Sequence, residues 1–228
     1  MKMVAIITGV NRGLGKALAD IMLQAGDTIV ISLSRSVHSD HEGLSTDKFL
    51  FIKTDLSASF NGEALTQIGN IINKQPVWLF NNAGNIQPLN KVGAFTAGSI
   101  ADSVAINITY PVSLINYIIS NYSHNQITFV NITSGAGSRP IENWATYCSS
   151  KAYMLMFFKT LEQEYKENEN YKFYSIDPGT MDTGMQQQIR DSSFPAKDYF
   201  TTLKDNNQLV APQAAAQNIL TEINYPLV

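Results

Sequence analysis

The chain has 228 residues, of which 44% are apolar and 15% charged, and its net charge is −3. This balance provides no basic surface for nucleic acid, and we find no apolar run near the ~20 residues that cross a bilayer, so we expect neither a nucleic-acid nor a membrane partner. The single cysteine, Cys148, excludes an internal disulfide and, with three scattered histidines that lack metal-ligand spacing, predicts a cytoplasmic protein without a metal site.

Short apolar runs alternate with longer helical stretches along the chain. The predicted strands are Val4–Thr8, Thr28–Leu33, Phe49–Lys53, Val77–Asn81, Gln126–Asn131 and Tyr171–Ile176. The predicted helices are Leu14–Ala25, Gly62–Asn73, Ala101–Tyr122 and Ala145–Lys166. Because the strands are apolar without alternation, both faces of the sheet must be covered. The pattern therefore predicts an α/β fold of the Rossmann type, a doubly wound parallel sheet with helices on both faces, in a single domain over residues 1–228.

Two long stretches, 84–98 and 184–210, show no regular pattern. Both follow predicted strands at their carboxyl ends, where ligands bind in folds of this kind. We therefore expect residues 184–210 to form a substrate loop.

A glycine-rich turn, Thr8-Gly-Val-Asn-Arg-Gly-Leu-Gly15, follows the first strand and opens the first helix. Glycine permits positive φ and a close backbone approach, and a helix N-terminus offers free N–H groups and a favourable dipole to a pyrophosphate. The spacing G-x-x-x-G-x-G differs from the G-x-G-x-x-G dinucleotide fingerprint, and such glycines could also simply join a strand to a helix. In this context we predict a dinucleotide site that includes Gly9, Asn11, Arg12, Gly13, Leu14 and Gly15.

The end of the second strand bears on the choice of cofactor. An acidic residue there would bind a ribose 2′-OH and favour NAD, whereas arginine accommodates a 2′-phosphate. Here the strand ends Ser34-Arg35-Ser36, without an acid. Arg35 can offer a bidentate fork to a phosphate, and Arg12 could approach the same group, although either could be a solvated surface residue. We therefore predict NADP(H).

Tyr147 and Lys151 are four residues apart and share one face of a helix, and Ser134 precedes the tyrosine by thirteen positions. This spacing recurs by chance, but behind a phosphate-binding loop it indicates a reductase. Hydride transfer to a carbonyl leaves charge on oxygen. Tyr147 is the candidate acid, and the Lys151 ammonium is expected to lower its pKa from about 10. Ser134 could donate a hydrogen bond to the same oxygen. Taken singly, these could be a core tyrosine, a solvated lysine and a turn-forming serine.

With these residues in place, the chain resembles the short-chain dehydrogenase/reductase family over nearly its whole length. The matching elements, in order, are Thr8–Gly15, Asp55, Asn81–Gly84, Asn107, Ser134, Tyr147, Lys151, Pro178-Gly179 and Thr183. Within the family, Asn143–Cys148 and Pro178–Gln187 are most similar to segments of sepiapterin reductase and the bacterial benzil-type carbonyl reductases.

The resemblance implies roles for further residues. It implies adenine contact for Asp55, with Leu56 in the same cofactor site, and a proton-relay water beside Asn107. It also implies a hydrogen bond from Lys151 to the nicotinamide ribose. The remaining cofactor residues that it implies are Asn82, Ala83, Gly84, Pro178, Gly179, Met181 and Thr183. Asp55 could instead cap a helix, and Pro178-Gly179 could be a plain turn. Trp144 and Met185 are candidates for the substrate pocket, although Trp144 could equally pack in the core.

The leading hypothesis is NADPH-dependent reduction of a small ketone, diketone or aldehyde to an alcohol by hydride transfer, with Tyr147 as the acid. One alternative is an NADP-binding redox sensor without turnover, which the intact Ser134, Tyr147 and Lys151 argue against. Another is a sepiapterin-type pterin reductase, but the chain ends at Val228 without the carboxylate tail that anchors the pterin in those enzymes.

A nucleotide-sugar epimerase or dehydratase is disfavoured by the glycine spacing and by the lack of room for a separate substrate domain. The family resemblance further implies a homodimer or homotetramer, paired through the helices predicted at Ala101–Tyr122 and Ala145–Lys166.

Overall fold

A six-stranded parallel sheet forms the centre of the protein. The computed structural model describes residues 2–58 and 62–227; positions 1, 59–61 and 228 of the predicted domain lie outside the described residues. The strands are β1 (Met3–Thr8), β2 (Thr28–Ser34), β3 (Phe49–Lys53), β4 (Val77–Asn81), β5 (Ile127–Ile132) and β6 (Tyr171–Ile176). Their order is β3-β2-β1-β4-β5-β6, with every neighbouring pair parallel. The predicted doubly wound fold is confirmed, and its strand order reverses between β1 and β4, where ligands bind in such sheets.

Helices cover both faces of this sheet. They are α1 (Gly13–Gln24), α2 (Gly62–Ile72), α3 (Ala97–Val104), α4 (Tyr110–Asn121), α5 (Ala145–Glu164), α6 (Gly184–Asp191), α7 (Lys197–Asp205) and α8 (Pro212–Glu222). Side chains of β1 alternate between the two faces yet are all buried, because Ala5 and Ile7 pack with α1 and α8, whereas Val4 and Ile6 pack with α2, α4 and α5. This double coverage explains why the strands read as continuous apolar runs.

The helix predicted at Ala101–Tyr122 begins earlier than expected. Thr96 and Ser99 form a capping box, in which Thr96 Oγ1 accepts from the Ser99 N–H at 3.1 Å, so the helix starts at Ala97. A π-helical turn at Ala105–Thr109 then joins α3 to α4. The sequence analysis did not anticipate either feature.

The sequence analysis predicted an irregular loop at residues 184–210. That prediction is wrong, because the stretch contains α6 and α7. These helices have few apolar residues, and their buried apolar side chains, Ile189 and Phe200, pack in a cluster that also contains Trp144 and Tyr147. The segment is closed at its base by Val210, whose N–H donates to the Thr180 carbonyl and whose carbonyl accepts from the Asp182 N–H. Tertiary packing therefore decides the helical structure here.

Within the described residues, one helical stretch is long and apolar enough to pass for a membrane span by length and composition, namely the 25 residues Ala97–Asn121. The sequence analysis did not anticipate such a segment. Its buried side chains Leu114, Ile115 and Ile118 pack in the cluster that also holds Val4 and Ile6 of β1. Packing on the sheet accounts for these buried residues, whereas Ile100 and Val104 of the same stretch are exposed.

The turns after β1 and β4 approach each other closely. The Asn82 side-chain amide donates to the carbonyls of Thr8 (2.8 Å) and Gly9 (3.3 Å), and Thr8 Oγ1 accepts from the backbone N–H groups of Asn82 and Ala83. A Cβ on Gly15 would collide with the Gly9 carbonyl and lie 2.6 Å from Asn82 Nδ2. Only glycine fits at position 15 without displacing this contact.

Replacing Gly15 with alanine should therefore lower the free energy of unfolding by about 1–3 kcal/mol, the usual cost of overpacking. The matched control is Gly98→Ala in α3, where the nearest atom to a new Cβ is Thr96 Oγ1 at 4.0 Å. That control should raise the free energy of unfolding by about 0.5–1 kcal/mol, because alanine favours helix. Urea unfolding followed by circular dichroism measures both, and equal effects in the two variants would contradict the steric argument.

Candidate active site

Two cavities adjoin at the carboxyl ends of the strands. The larger, of about 390 Å³, lies beside β1, β2 and β4. Most of the predicted cofactor residues line it: Gly9, Asn11, Arg12, Gly13, Leu14, Arg35, Asp55, Leu56, Asn82, Ala83, Gly84, Met181 and Thr183. Of the others, Gly15 packs beneath the turn, and Pro178 and Gly179 line the second cavity. The structure thus gathers residues from distant parts of the chain into one elongated cleft.

The start of α1 fits a pyrophosphate group. Arg12 occupies the N-cap position in extended backbone, its side chain forms no capping hydrogen bond among the described residues, and the first turn has no acidic side chain. Gly13 has φ of +58°, and a Cβ there would lie 3.4 Å from Thr183 Cγ2, across the cleft. Uncapped N–H groups and a narrow glycine-lined gap are what a helix terminus offers to an anion.

The two candidate 2′-phosphate residues occupy different parts of the cleft. Arg35 lies near Asp55, and its charge contributes to lowering the pKa of that carboxyl, after hydrogen bonds from the backbone and side chain of Ser57. Arg12 approaches the start of α6 instead, with its guanidinium 3.5 Å from the Cβ position of Gly184. Asp55 caps a turn and not the helix that the sequence suggested. Its Oδ1 accepts from the Ser57 backbone N–H at 3.0 Å.

The second cavity, of about 290 Å³, contains Ser134, Tyr147 and Lys151. Ser134 caps a 3₁₀ turn after β5, and its Oγ accepts from the Ala136 N–H at 3.2 Å. Tyr147 and Lys151 lie on α5, 6% and 7% exposed. The Ser134 hydroxyl lies on the same side of the cavity as the Tyr147 phenol and acts to lower the pKa of that phenol. Lys151 Nζ donates to the Ile132 carbonyl at 2.7 Å and lies 5.7 Å from the centre of the Tyr147 ring.

The expected lowering of the tyrosine pKa is wrong for this structure. Burial raises the pKa of Tyr147 to about 12, opposed by the Ser134 hydroxyl and reinforced by the charge of Asp177. Burial likewise lowers the pKa of Lys151 to about 8, opposed by Asp177. Desolvation is the largest cause of both shifts, which the four-residue spacing alone could not reveal.

Asn107 lies in the π-helical turn and is buried. Its Oδ1 accepts from the Asn85 N–H at 2.8 Å, and its Nδ2 donates to the Asn85 carbonyl at 2.7 Å. A Cβ on the neighbouring Gly84 would lie 3.6 Å from Asn107 Oδ1 and 3.9 Å from Lys151 Nζ. Asn107 thus fixes the segment after β4 beside Lys151, and its role with a proton-relay water stays a prediction.

Trp144 combines the two roles that the sequence left open. It is 4% exposed, stacks on Phe200 with ring centres 5.3 Å apart, and meets Tyr147 edge-on at 5.8 Å. It also lines the second cavity, as do Met185 and Ile86. The cavity therefore has an aromatic and aliphatic wall that belongs to the packed interior, with α6 and α7 forming one side.

The sequence analysis missed two charged residues in the second cavity. Asp177 directly follows β6 and precedes Pro178, and Arg139 follows the 3₁₀ turn after Ser134. Asp177 acts electrostatically on both Tyr147 and Lys151. Asp177 follows β6 at the carboxyl edge of the sheet, and this position could have identified it as a candidate site residue.

Comparisons with known proteins agree with this geometry. The model for the short chain dehydrogenase family matches residues 3–193. The benzil reductase ((S)-benzoin forming) of Bacillus cereus is 31% identical over 97% of this chain and 95% of that enzyme, and sepiapterin reductase of Bos taurus is 26% identical over 95% and 87%. The crystal structure of the KRED1-Pglu enzyme superimposes with a TM-score of 0.84 over 96% of this chain and 94% of that one, at 24% identity, and so shares the fold.

The chain therefore belongs to the short-chain dehydrogenase/reductase family. It is an oxidoreductase of that family, whose members bind a nicotinamide cofactor, and the resemblance recognised in the sequence is confirmed.

The depressed pKa of Lys151 predicts a specific dependence of stability on pH. The folded pKa is about 8 and the unfolded value 10.5, so between these values the unfolded chain binds more protons and the free energy of unfolding rises with pH. Lys151→Met lacks this contribution, so the wild type should gain stability relative to it from pH 7 to pH 9.5. Urea unfolding at several pH values measures this. The exposed Lys74→Met control should keep a constant difference, and a constant difference for Lys151→Met would refute the shift.

Proposed function

We propose that this protein is an NADPH-dependent reductase of small carbonyl compounds, with Tyr147 as the acid. The observation that carries the proposal is the placement of Ser134 beside Tyr147 in a cavity that adjoins the cofactor cleft. The two cavities share Gly84, Met181 and Thr183, so a cofactor along the cleft would extend to the Ser134–Tyr147 pair. A sensor without turnover would not need a buried proton donor at this junction.

Each residue of the pair has a distinct task in carbonyl reduction. When bound, the nicotinamide cofactor supplies the hydride. The Ser134 hydroxyl donates to the substrate oxygen and holds it as negative charge develops there. Tyr147, with a pKa of about 12, stays protonated at neutral pH and transfers its phenolic proton to that oxygen. Lys151, bonded to the Ile132 carbonyl, holds a cation beside the phenolate that results.

The preference for NADP rests on the end of β2. Arg35 lines the cleft there together with Ser34, and neither residue is acidic. A guanidinium offers paired donors to a phosphate, whereas a ribose 2′-OH would be recognised by a carboxylate. The carboxylate on which Arg35 acts electrostatically, Asp55, has its Oδ1 engaged by the Ser57 N–H and hydroxyl.

The substrate is a small ketone, diketone or aldehyde. The apolar wall formed by Ile86, Trp144 and Phe200 suits an aromatic or aliphatic group, and the bacterial relatives named benzil reductases act on such a compound. Residues 184–210, which contain α6 and α7, would form the substrate-binding segment over this cavity. A cytoplasmic location and pairing into dimers or tetramers stay predictions.

Replacing Tyr147 with phenylalanine should lower kcat at least about 100-fold, the usual contribution of a general acid. The ring packs edge-on against Trp144 and should keep its place, so folding and the affinity for NADPH should be preserved. Turnover is measured by NADPH absorbance with benzil, and cofactor affinity by fluorescence titration. Turnover near that of the wild type would remove Tyr147 from the mechanism.

Replacing Arg35 with aspartate should reverse the cofactor preference, lowering kcat/KM for NADPH and raising it for NADH. The carboxylate would repel a 2′-phosphate and accept from a ribose 2′-OH. The ratio of the two kcat/KM values is the measurement. Lys172→Asp, on an exposed position of β6, makes the same change of charge away from the cleft and should leave the ratio unchanged. An unaltered ratio in Arg35→Asp would exclude this residue from cofactor selection.

A further inference from the structure

Two neighbouring glutamines of α6 differ in what their side-chain amides contact. Gln187 is exposed, and its amide is bonded at both ends: Nε2 donates to Asp191 Oδ1 at 2.8 Å, and Oε1 accepts from the Arg190 guanidinium at 2.9 Å. Gln186 is 7% exposed, yet its side chain makes no hydrogen bond to another described residue, and its Oε1 is enclosed without a partner. The exposed amide is therefore the one that the protein satisfies, and the buried amide is not.

Gln186 lines the same cavity as Ser134 and Tyr147. Burial of an amide without a partner is unfavourable, because the group gives up its hydrogen bonds to water and gains none in return. Such groups are uncommon in native proteins, and a leucine of similar size could fill this position without that loss. The position of the unpaired amide at a ligand cavity indicates that its hydrogen-bond partner arrives with the ligand.

The Gln186 amide can present either of its ends to the cavity. The last torsion of a glutamine side chain is broad and roughly two-fold, so a half-turn about it exchanges Oε1 and Nε2. This rotation breaks no hydrogen bond to another described residue, because the side chain has none. Gln186 can therefore accept from a donor or donate to an acceptor. A hydroxyl group is both, and so can pair with either end.

The body of a ligand that reaches Gln186 would lie against an apolar wall. Trp144 and Phe200 stack in the cluster that also contains Ile189 of α6, and both line the cavity together with Ile86. Flat aromatic rings pack well on a surface of this kind. Because Gln186 is neutral, it favours an uncharged polar group at the far side of such a ring.

We infer that Gln186 selects aryl ketones and aldehydes that carry a hydroxyl group on the ring, remote from the reacting carbonyl. Ser134 follows β5 and Tyr147 lies on α5, whereas Gln186 belongs to α6, so the two ends of the substrate meet different walls of the cavity. Hydride from NADPH and a proton from Tyr147 add across the C=O and give the alcohol. The ring hydroxyl bonds to Gln186 and is unchanged by the reaction.

This inference rests on the proposed function and is tested by ratios of kcat/KM with saturating NADPH. The probes are meta- and para-hydroxyacetophenone, each paired with the methyl analogue of similar size. Gln186→Leu and Gln186→Met should each lower the hydroxyl-to-methyl ratio of at least one pair about fivefold relative to the wild type, the effect of one lost hydrogen bond between uncharged groups. The intrinsic reactivity of each ketone cancels when one pair is compared between variants.

Unfolding in urea provides a readout that a purely structural glutamine would move in the opposite direction. Both Gln186 variants should unfold at a higher urea concentration than the wild type, because they remove a buried amide that lacks a partner. The matched control is Gln187→Leu, which changes a neighbouring glutamine that lines neither cavity. It should leave every substrate ratio unchanged and should not raise the urea midpoint.

Circular dichroism establishes that each variant is folded. Unaltered ratios for both pairs in both Gln186 variants overturn the inference while the reductase function stands. Absence of turnover of all four ketones by the wild type would overturn the proposed function, and this inference with it.

Discussion

The arrangement of the whole site depends on the close contact between the turns after β1 and β4. Four hydrogen bonds from Asn82 and Ala83 to Thr8 and Gly9 hold these turns together, and Gly15 makes the approach possible by lacking a side chain. One turn opens α1, where a pyrophosphate fits, and the other leads to Gly84 beside Lys151. The contact therefore fixes the distance between the start of α1 and the cavity that contains Tyr147, so that one extended ligand could reach both.

Much of the fold and the site could be predicted because the deciding signals are local. Continuous apolar runs identify strands covered on both faces, and a glycine turn between a strand and a helix identifies the cleft. The helices of the 184–210 stretch could not be predicted, since α6 and α7 are short and have few apolar residues, and their buried side chains pack in the cluster that contains Trp144. The pKa of Tyr147 could not be predicted either, because its largest cause is burial, which depends on the packed surroundings.

The two ends of the cleft differ in how far their polar groups are buried. At the start of α1 the groups that would meet a phosphate are backbone amides and exposed arginines, which need no partner in water. Around Tyr147 the groups are desolvated, and the phenol is stabilised in its neutral form while the lysine loses part of its preference for charge. Electrostatic interactions gain strength in such a dry setting. The charge of Asp177 therefore raises the pKa of Tyr147 and of Lys151 at a distance.

The π-helical turn at Ala105–Thr109 has a consequence for how this helix tolerates change. A π turn contains one residue more than an α turn. It therefore rotates the side chains of α3 about the helix axis relative to those of α4. α4 keeps Leu114, Ile115 and Ile118 against the sheet, while Asn107 turns its amide to Asn85. Loss of one residue in this turn would restore regular winding and rotate one of these two faces by about 100°. The length of the segment is thus constrained more tightly than the identity of most residues within it.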